Sequence, residues 1–184
     1  MIAVQPGDYA CVSIPWLKKR IFGHTIPVPN VIGYLIRLAT WSRYDHSFIY
    51  VGSGKIVEAQ PQGAVLSDLD KYTRDALIWS ADNISPAQRK KIVNWALTLR
   101  GTPYGYLDIV YLGLATLGLK FNWILRRVER EDRLICSQLV AVSGENAKVD
   151  AWLCGKKNAC LVTPANLATH ASHVLINQTR RFKK

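Results

Sequence analysis

The 184-residue chain is predicted to form one domain that contains both strands and helices, on three observations. Residues 46–51 read as an alternating strand, the small turn Gly52-Ser53-Gly54 follows, and residues 55–59 return as the partner strand, which is typical of a β-hairpin. Ser85-Pro86-Ala87-Gln88 has the pattern of a helix capping box with proline at the first helical position. Residues 136–143 carry apolar side chains at helical spacing. No low-complexity linker divides the chain, whose 49% of hydrophobic residues suffice for a single buried core.

The other elements follow from weaker patterns. Residues 31–41 are predicted to form a helix, because their apolar residues, Leu35 among them, share one face. The helix that begins at Cys136 is expected to end at Gly144, since glycine commonly follows the last turn of a helix. Further strands are predicted at 9–14, 64–69, 76–80 and 172–176, a loop at 15–33, and a helix start at 163–167.

The chain carries 24 Lys and Arg residues against 13 Asp and Glu, a net charge of +11 that bears on partners rather than on fold. An anionic cell-wall polymer, a membrane surface and nucleic acid would all suit this charge. The basic residues occur in small groups and in a short basic C-terminal tail at 180–184. Because no nucleic-acid-binding motif accompanies them, no specific nucleic-acid partner is expected.

The sequence shows neither the pattern of a membrane span nor that of a secretory signal. The longest apolar run, 109–119, is shorter than the about 20 residues that a transmembrane helix needs. It is therefore expected in the core or at a docking surface. The first residues lack a basic start followed by a long apolar stretch. We expect synthesis in the cytoplasm without a signal peptide, and the final site of action stays open.

Two short motifs point to thiol chemistry. His46 opens the first strand of the predicted hairpin, and Cys136 opens a predicted helix. A cysteine acts as a nucleophile in its thiolate form, which a helix N-terminus and an imidazole partner both favour. Either residue alone is more often inert, as a packed histidine or a core thiol. The catalytic interpretation rests on their combination with a carboxylate on the hairpin.

The length of the hairpin loop decides which side chain can orient His46. With a three-residue loop at 52–54, Phe48 faces Glu58, and Glu58 lies on the same side of the sheet as His46. A two-residue loop would move Glu58 to the opposite side. A carboxylate beside the imidazole would fix its tautomer and support its protonated form. The chemistry favours Glu58, while Gln60, directly across from His46 in this register, is the other candidate.

Tyr104, Ser137 and Gln60 are the candidate substrate-binding residues. Backbone N–H groups around Ser137, at the start of the helix, are placed to hold an oxyanion. Tyr104 is expected either to line the cleft or to pack at its rim. His170 and His173 have the spacing of a metal-binding pair on a helix, but no third ligand accompanies them. The sequence therefore predicts neither a metal nor a cofactor.

Five motifs occur in the order of a known family. They are His46-Ser47-Phe48-Ile49-Tyr50-Val51-Gly52, Val57-Glu58-Ala59, Gly101-Thr102-Pro103-Tyr104, Cys136-Ser137-Gln138-Leu139-Val140 and Thr163-Pro164-Ala165-Asn166-Leu167. Together they resemble the circularly permuted branch of the NlpC-type papain-like cysteine hydrolases, the YiiX-like proteins related to lecithin:retinol acyltransferase. In that branch the histidine strand precedes the cysteine helix. The resemblance covers about residues 5–170.

The resemblance implies a papain-like α+β fold, in which a bent antiparallel sheet packs against the helix that carries the nucleophile. It also implies Cys136 as nucleophile, His46 as general base and then acid, and Glu58 as the orienting carboxylate. The whole chain, 1–184, would form a single permuted domain. Residues 109–133 are a longer and more apolar link than a minimal member needs, and are expected to form a lid, a lipid-facing element or a groove wall.

The expected function is that of a cysteine peptidase or amidase that cleaves an amide bond in peptidoglycan peptides. Two alternatives stay open at this point. The same three residues would serve a lipid acyl hydrolase or acyltransferase, which the apolar run 109–119 favours. A non-catalytic member of the same fold would instead use its basic surface to bind a wall, a membrane or a partner protein.

Overall fold

The computed structural model of the chain describes residues 4–14, 16–21, 24–72, 77–80, 82–116, 118–119 and 133–181. Parts of the predicted insertion at 109–133 and of the basic tail lie outside the described residues. The described strands are β1 (Tyr9–Val12), β2 (Trp16–Ile21), β3 (His24–Pro29), β4 (His46–Gly52), β5 (Lys55–Gln60), β6 (Gly63–Asp68) and β7 (Leu77–Trp79). The described helices are α1 (Val31–Thr40), α2 (Pro86–Thr98), α3 (Tyr106–Thr116), α4 (Cys136–Asn146) and α5 (Pro164–Arg181), with short helical turns at Leu69–Tyr72, Asp150–Leu153 and Ala159–Leu161.

Five of the described strands form one antiparallel sheet in the order β6-β5-β4-β1-β7. One face of this sheet packs against α2, α4 and α5. Ile49 and Val57 from the sheet meet Leu139 and Val140 of α4 in the larger apolar core. A second apolar cluster surrounds Phe48 on the opposite face. The fold is therefore of the α+β class, as the sequence predicts.

The hairpin of β4 and β5 reaches the predicted register by a different route. Its turn has two residues, Ser53 and Gly54, with φ values of 52° and 71°. A type I′ turn requires such positive values at both central positions. A bulge at Val51 then inserts one residue into β4, and Ile49 pairs with Val57 as a three-residue loop would have placed it. Because the bulge restores the register, Glu58 returns to the side of the sheet that carries His46.

The loop predicted at 15–33 is wrong, because most of this segment forms the β2–β3 hairpin. Pro27 pairs with Lys18 and Pro29 with Trp16. Proline has no N–H to give to a neighbouring strand, and is tolerated where the strand has an open edge. Both strands of a two-stranded sheet have such an edge. The proline content of this segment therefore did not exclude strands.

The last strand predicted, at 172–176, is also wrong, since these residues lie within α5. The helix begins where predicted, with a reciprocal cap at Thr163. The Asn166 N–H donates to the Thr163 hydroxyl (3.2 Å), and the Thr163 N–H donates to the Asn166 side-chain oxygen (3.0 Å). A short apolar run fits a helix as well as a strand. The helix that starts at this cap continues through residues 172–176.

Helix α1 forms where predicted, and Leu35, which belongs to the apolar face that predicted it, is more than half exposed. The apolar run at 109–119, for which no element was predicted, contains most of α3, whose Tyr111 is buried against residues near Cys160. Hydrophobic periodicity thus locates α1 without showing which side of it faces the protein.

The prediction that α4 ends at Gly144 is wrong. Gly144 lies within the helix, against the buried ring of Trp152. A Cβ atom at this position would lie 2.6 Å from Cε3 of Trp152. Replacing glycine by alanine inside a helix ordinarily stabilises by about 1 kcal/mol. At position 144 we expect the opposite, a loss of about 1–3 kcal/mol in the free energy of unfolding, because the core has no room for the methyl group.

Urea denaturation of Gly144→Ala measures this effect. Asn94→Ala, at an exposed position of α2, is the matched control and should leave the unfolding free energy within about 0.5 kcal/mol of wild type. A Gly144→Ala protein that is more stable than wild type would contradict the close packing of the helix on Trp152.

Candidate active site

Glu58 is a fully buried carboxylate held by three donors. Nε2 of His46 donates to Oε2 of Glu58 at 2.8 Å, and the hydroxyl of Tyr72 donates to the same oxygen at 2.6 Å. The ammonium of Lys71 binds Oε1. His46 comes from β4, whereas Lys71 and Tyr72 come from the helical turn Leu69–Tyr72 that follows β6. The predicted register therefore places Glu58, and not Gln60, beside the imidazole.

These donors keep Glu58 ionised. Burial by itself would raise the pKa of its carboxyl group, but the hydrogen bond and charge of His46, followed by the charge of Lys71, hold that pKa well below its usual range. An ionised carboxylate fixes the Nε2–H tautomer of His46 and stabilises the imidazolium. The stacked rings of Phe48 and Tyr72, with centroids 5.1 Å apart, hold the Tyr72 hydroxyl on the carboxylate.

His46 interacts with Cys136 as well as with Glu58. Burial would lower the pKa of the imidazole, but the charge and the hydrogen bond of Cys136, together with those of Glu58, raise it from 6.5 to about 10. The thiol and the imidazole predicted to meet, ninety residues apart in the chain, are thus within interaction range. This is the arrangement in which a thiolate and an imidazolium stabilise one another.

A parallel β-bridge between residues 104 and 134 fixes the backbone just before Cys136. Tyr104 pairs with Leu134, and two backbone hydrogen bonds, Gly105 N–H to Leu134 O (3.1 Å) and Leu134 N–H to Pro103 O (3.0 Å), close it. The bridge therefore holds Gly105 against Leu134, two residues before Cys136. Cys136 then follows as the first residue of α4.

Tyr104 lies close enough to Cys136 to respond to its charge. Burial is the main reason that the pKa of the Tyr104 phenol is raised, and the charge of Cys136 is the next. Its ring packs edge-on against Tyr106, with centroids 5.1 Å apart. The Tyr106 hydroxyl donates to Pro61 O at 3.1 Å, which ties this end of α3 to the end of β5. A position beside the thiol is compatible with the predicted contact between Tyr104 and substrate.

The start of α4 presents backbone donors beside the thiol. The first hydrogen bond of the helix runs from Leu139 N to Ile135 O (3.0 Å), so the N–H groups of Cys136, Ser137 and Gln138 precede the helical ladder. The Ser137 side chain is buried and donates to Val162 O at 2.6 Å. Any contact of Ser137 with substrate would therefore use its backbone N–H. Backbone N–H groups at a helix start are the kind of donors that an oxyanion hole uses.

Sequence patterns did not indicate Lys71 and Tyr72 as partners of Glu58, since neither belongs to a recognisable motif. Gln60, the other candidate for orienting His46, accepts a hydrogen bond from Gln62 at 2.6 Å, and its contact with substrate stays a prediction. His170 is engaged elsewhere, with Nε2 at 2.9 Å from Asp82. In the described ranges, no three His, Cys, Asp or Glu side chains are grouped as ligands for a metal ion.

Comparison with known proteins does not indicate a function for the chain. No protein-family model matches the chain, and no curated protein is significantly similar to it. Among the helices that the structure describes, none combines the length and apolar character needed to cross a bilayer. Any functional conclusion must therefore rest on the side chains around Cys136 and on their chemistry.

Removing the Tyr72 hydroxyl should destabilise the fold. In Tyr72→Phe the buried carboxylate of Glu58 loses one of its donors, and we expect the free energy of unfolding to fall by about 1.5–3 kcal/mol, as for hydrogen bonds to charged groups. Tyr50→Phe is the control. Tyr50 belongs to the same apolar cluster as Tyr72, but its hydroxyl accepts an exposed hydrogen bond from the Gly54 N–H. Equal stability of the two variants in urea denaturation would exclude the proposed support of Glu58.

The titration of His46 should depend on both of its partners. In wild type its ring protons should titrate near pH 10, followed by NMR. Because Glu58 and Cys136 both raise the pKa of His46, Glu58→Gln and Cys136→Ala should each lower it. Glu145→Gln, which removes an exposed charge from the far end of α4, should leave it unchanged. A wild-type pKa near 6.5 would refute the described contacts.

Proposed function

We propose that this protein is a cysteine hydrolase that cleaves an amide bond, with Cys136 as nucleophile, His46 as base and acid, and Glu58 as the orienting carboxylate. The observation that supports the proposal is that one imidazole interacts with both a carboxylate and a thiol. His46 binds the buried Glu58 carboxylate at 2.8 Å and also interacts with the thiol of Cys136 at the start of a helix. This set of groups has the roles of a thiol-hydrolase triad.

The reaction proceeds in two halves. His46 takes the proton of Cys136, and the sulfur attacks the carbonyl carbon of the scissile amide. Backbone N–H groups at the start of α4 stabilise the oxyanion that forms. The imidazolium then gives its proton to the amide nitrogen, the C–N bond breaks, and the amine leaves behind a thioester on Cys136. Water, deprotonated by His46, attacks the thioester, and the carboxylic acid product leaves as the sulfur takes back the proton.

Glu58 supports both halves without exchanging a proton. Since its pKa is held well below the usual range, it remains negative while His46 is charged and while it is neutral. Lys71 and Tyr72 act as positioning residues that hold this carboxylate in place. The energetic cost of burying a carboxylate is thereby offset by three donors before substrate arrives.

The other thiols fit a nucleophilic role less well. Burial raises the pKa of Cys11 well above its ordinary value, and the Cys11 thiol donates to Pro164 O at 3.6 Å. Burial, followed by the charge of Asp82, raises the pKa of Cys154 to about 11. Cys160 donates to the side-chain oxygen of Asn158 at 2.8 Å. Cys136 is the thiol that interacts with the His46 imidazole.

The order of the elements supports membership of the permuted papain-like branch. The histidine strand β4 and the Glu58 strand β5 precede the helix that Cys136 opens, and this helix packs against the antiparallel sheet. The Pro103-Tyr104 segment pairs with the residues that lead into α4, and Thr163-Pro164 starts α5. This order of elements is the observation that supports the proposed relationship.

Peptidoglycan peptides are the favoured substrate class, since the net charge of +11 suits an anionic wall polymer. A second candidate is a fatty-acyl ester, thioester or amide of a lipid, cleaved by the same three residues. The observation that favours it is the exposure of Tyr106 and Leu107 on α3, which begins next to Tyr104. Exposed apolar side chains close to Tyr104 would suit an acyl chain.

Digestion assays with purified peptidoglycan and with lipid vesicles test the function. Wild type should release peptide fragments, and Cys136→Ala should lose activity by about 10³-fold or more, because no other group replaces the nucleophile. Cys160→Ala, which removes a thiol outside the site, should retain wild-type activity. Fatty-acid release from vesicles without peptide fragments would select the lipid substrate instead. Activity that survives in Cys136→Ala would exclude Cys136 as nucleophile.

A further inference from the structure

Helix α1 is attached to the protein by its polar residues. Asn30 caps the helix by accepting from Gly33 N–H at 3.0 Å, and its side-chain amide donates to Ile14 O at 3.0 Å. Arg37 donates to the Ser13 hydroxyl at 3.2 Å and forms an ion pair with the buried Asp45 at 3.4 Å. A helix on the surface of a water-soluble domain normally turns its polar side to solvent. In α1 the polar contacts face the protein.

Five apolar residues of α1 and its C-terminal end form an exposed stripe. Most of them are three or four residues apart, which places them on one side of the helix. Four of them are 55% to 62% exposed, and the residue at the end of the helix is 93% exposed. The five are Val31, Tyr34, Leu35, Leu38 and Trp41. A stripe of this length marks an interaction surface rather than scattered exposure.

The sequence around α1 is mainly basic. Residues 9–44 include Lys18, Lys19, Arg20, Arg37 and Arg43 and no Asp or Glu, and the ion pair with Asp45 neutralises Arg37. The three residues 18–20 belong to β2, and the β2–β3 hairpin ends at Pro29, directly before the helix. Arg43 is exposed two residues beyond Trp41. An apolar stripe within a basic stretch of the chain matches a surface that is apolar inside and negatively charged outside.

We infer that α1 is an interfacial helix that docks this protein on an anionic lipid membrane. Tryptophan and tyrosine prefer the boundary between lipid chains and headgroups, where Trp41 and Tyr34 would lie. Basic residues beside them would bind the anionic headgroups. A helix with an apolar face and basic flanks lies in the plane of the membrane rather than across it. This inference concerns binding and does not depend on the chemistry of Cys136.

Helix α1 lies next to the candidate active site. Asp45, which pairs with Arg37 of α1, directly precedes His46 in the chain. The helix approaches so closely that a Cβ atom at Gly33 would lie 2.5 Å from Oδ2 of Asp45. Helix α1 also contacts α3, on which Tyr106 and Leu107 are exposed. A protein docked through α1 would therefore hold the His46 end of its sheet near the membrane.

Flotation with lipid vesicles tests the inference directly. The full chain should bind vesicles that contain phosphatidylglycerol, with weaker binding to pure phosphatidylcholine and at high salt. Leu35→Glu and Leu38→Glu should each weaken binding by about tenfold or more, because each removes an exposed apolar anchor and adds a like charge. Leu66→Glu introduces the same change on β6, where Leu66 is exposed, and should bind as wild type does. Trp41→Ala should also bind more weakly without loss of thermal stability.

Several results would overturn the inference. Equal binding by wild type, Leu35→Glu and Leu38→Glu would show that α1 is not the contact. No binding of wild type to anionic vesicles at low salt would show that lipid is not the partner. A wild-type dimer that becomes monomeric in Leu35→Glu, measured by light scattering, without vesicle binding, would show that a second copy covers the stripe. Because these readouts are independent of hydrolysis, a failure here leaves the proposed function untouched, and the reverse also holds.

Discussion

The buried negative charge of Glu58 is the constraint on which the rest of the site depends. Taking a carboxylate out of water costs several kcal/mol unless well-placed donors surround it. Those donors come from two places, His46 on the neighbouring strand and the pair Lys71 and Tyr72 on the turn after β6. Strand β5 therefore has one acceptable register against β4. With this register in place, His46 is oriented and held ready for a partner on a distant helix.

Two local features of the backbone position residues of the site that are far apart in the chain. The bulge at Val51 compensates for the short turn and keeps Glu58 on the side of His46. The bridge between Tyr104 and Leu134 closes the long excursion of the chain just before Cys136. The bulge fixes the position of Glu58, and the bridge fixes that of Cys136. The same end of the sheet also supports α1 through Asp45, so the candidate active site and the proposed docking surface share one support.

The sequence predicted the parts of the site that depend on local chemistry and missed those that depend on packing. His46, Glu58 and Cys136 were found because strand alternation and helix starts have recognisable patterns. Lys71 was missed, since only the folded sheet brings its turn onto Glu58. Gly144 was misassigned as a helix end because its small size serves Trp152, which lies beyond the helix. The exposed side of α1 could not be predicted, since periodicity defines an apolar face without saying what that face contacts.

The most direct test of the central claim is the relative rate at which iodoacetamide labels the four cysteines of the folded wild-type protein at neutral pH. Exposure alone would favour Cys154 and Cys160, since Cys11 and Cys136 are buried. If His46 and Glu58 activate the thiol at the start of α4, Cys136 should be labelled first despite its burial. Uniformly slow labelling, or labelling that follows exposure, would contradict the coupling of Cys136 to His46.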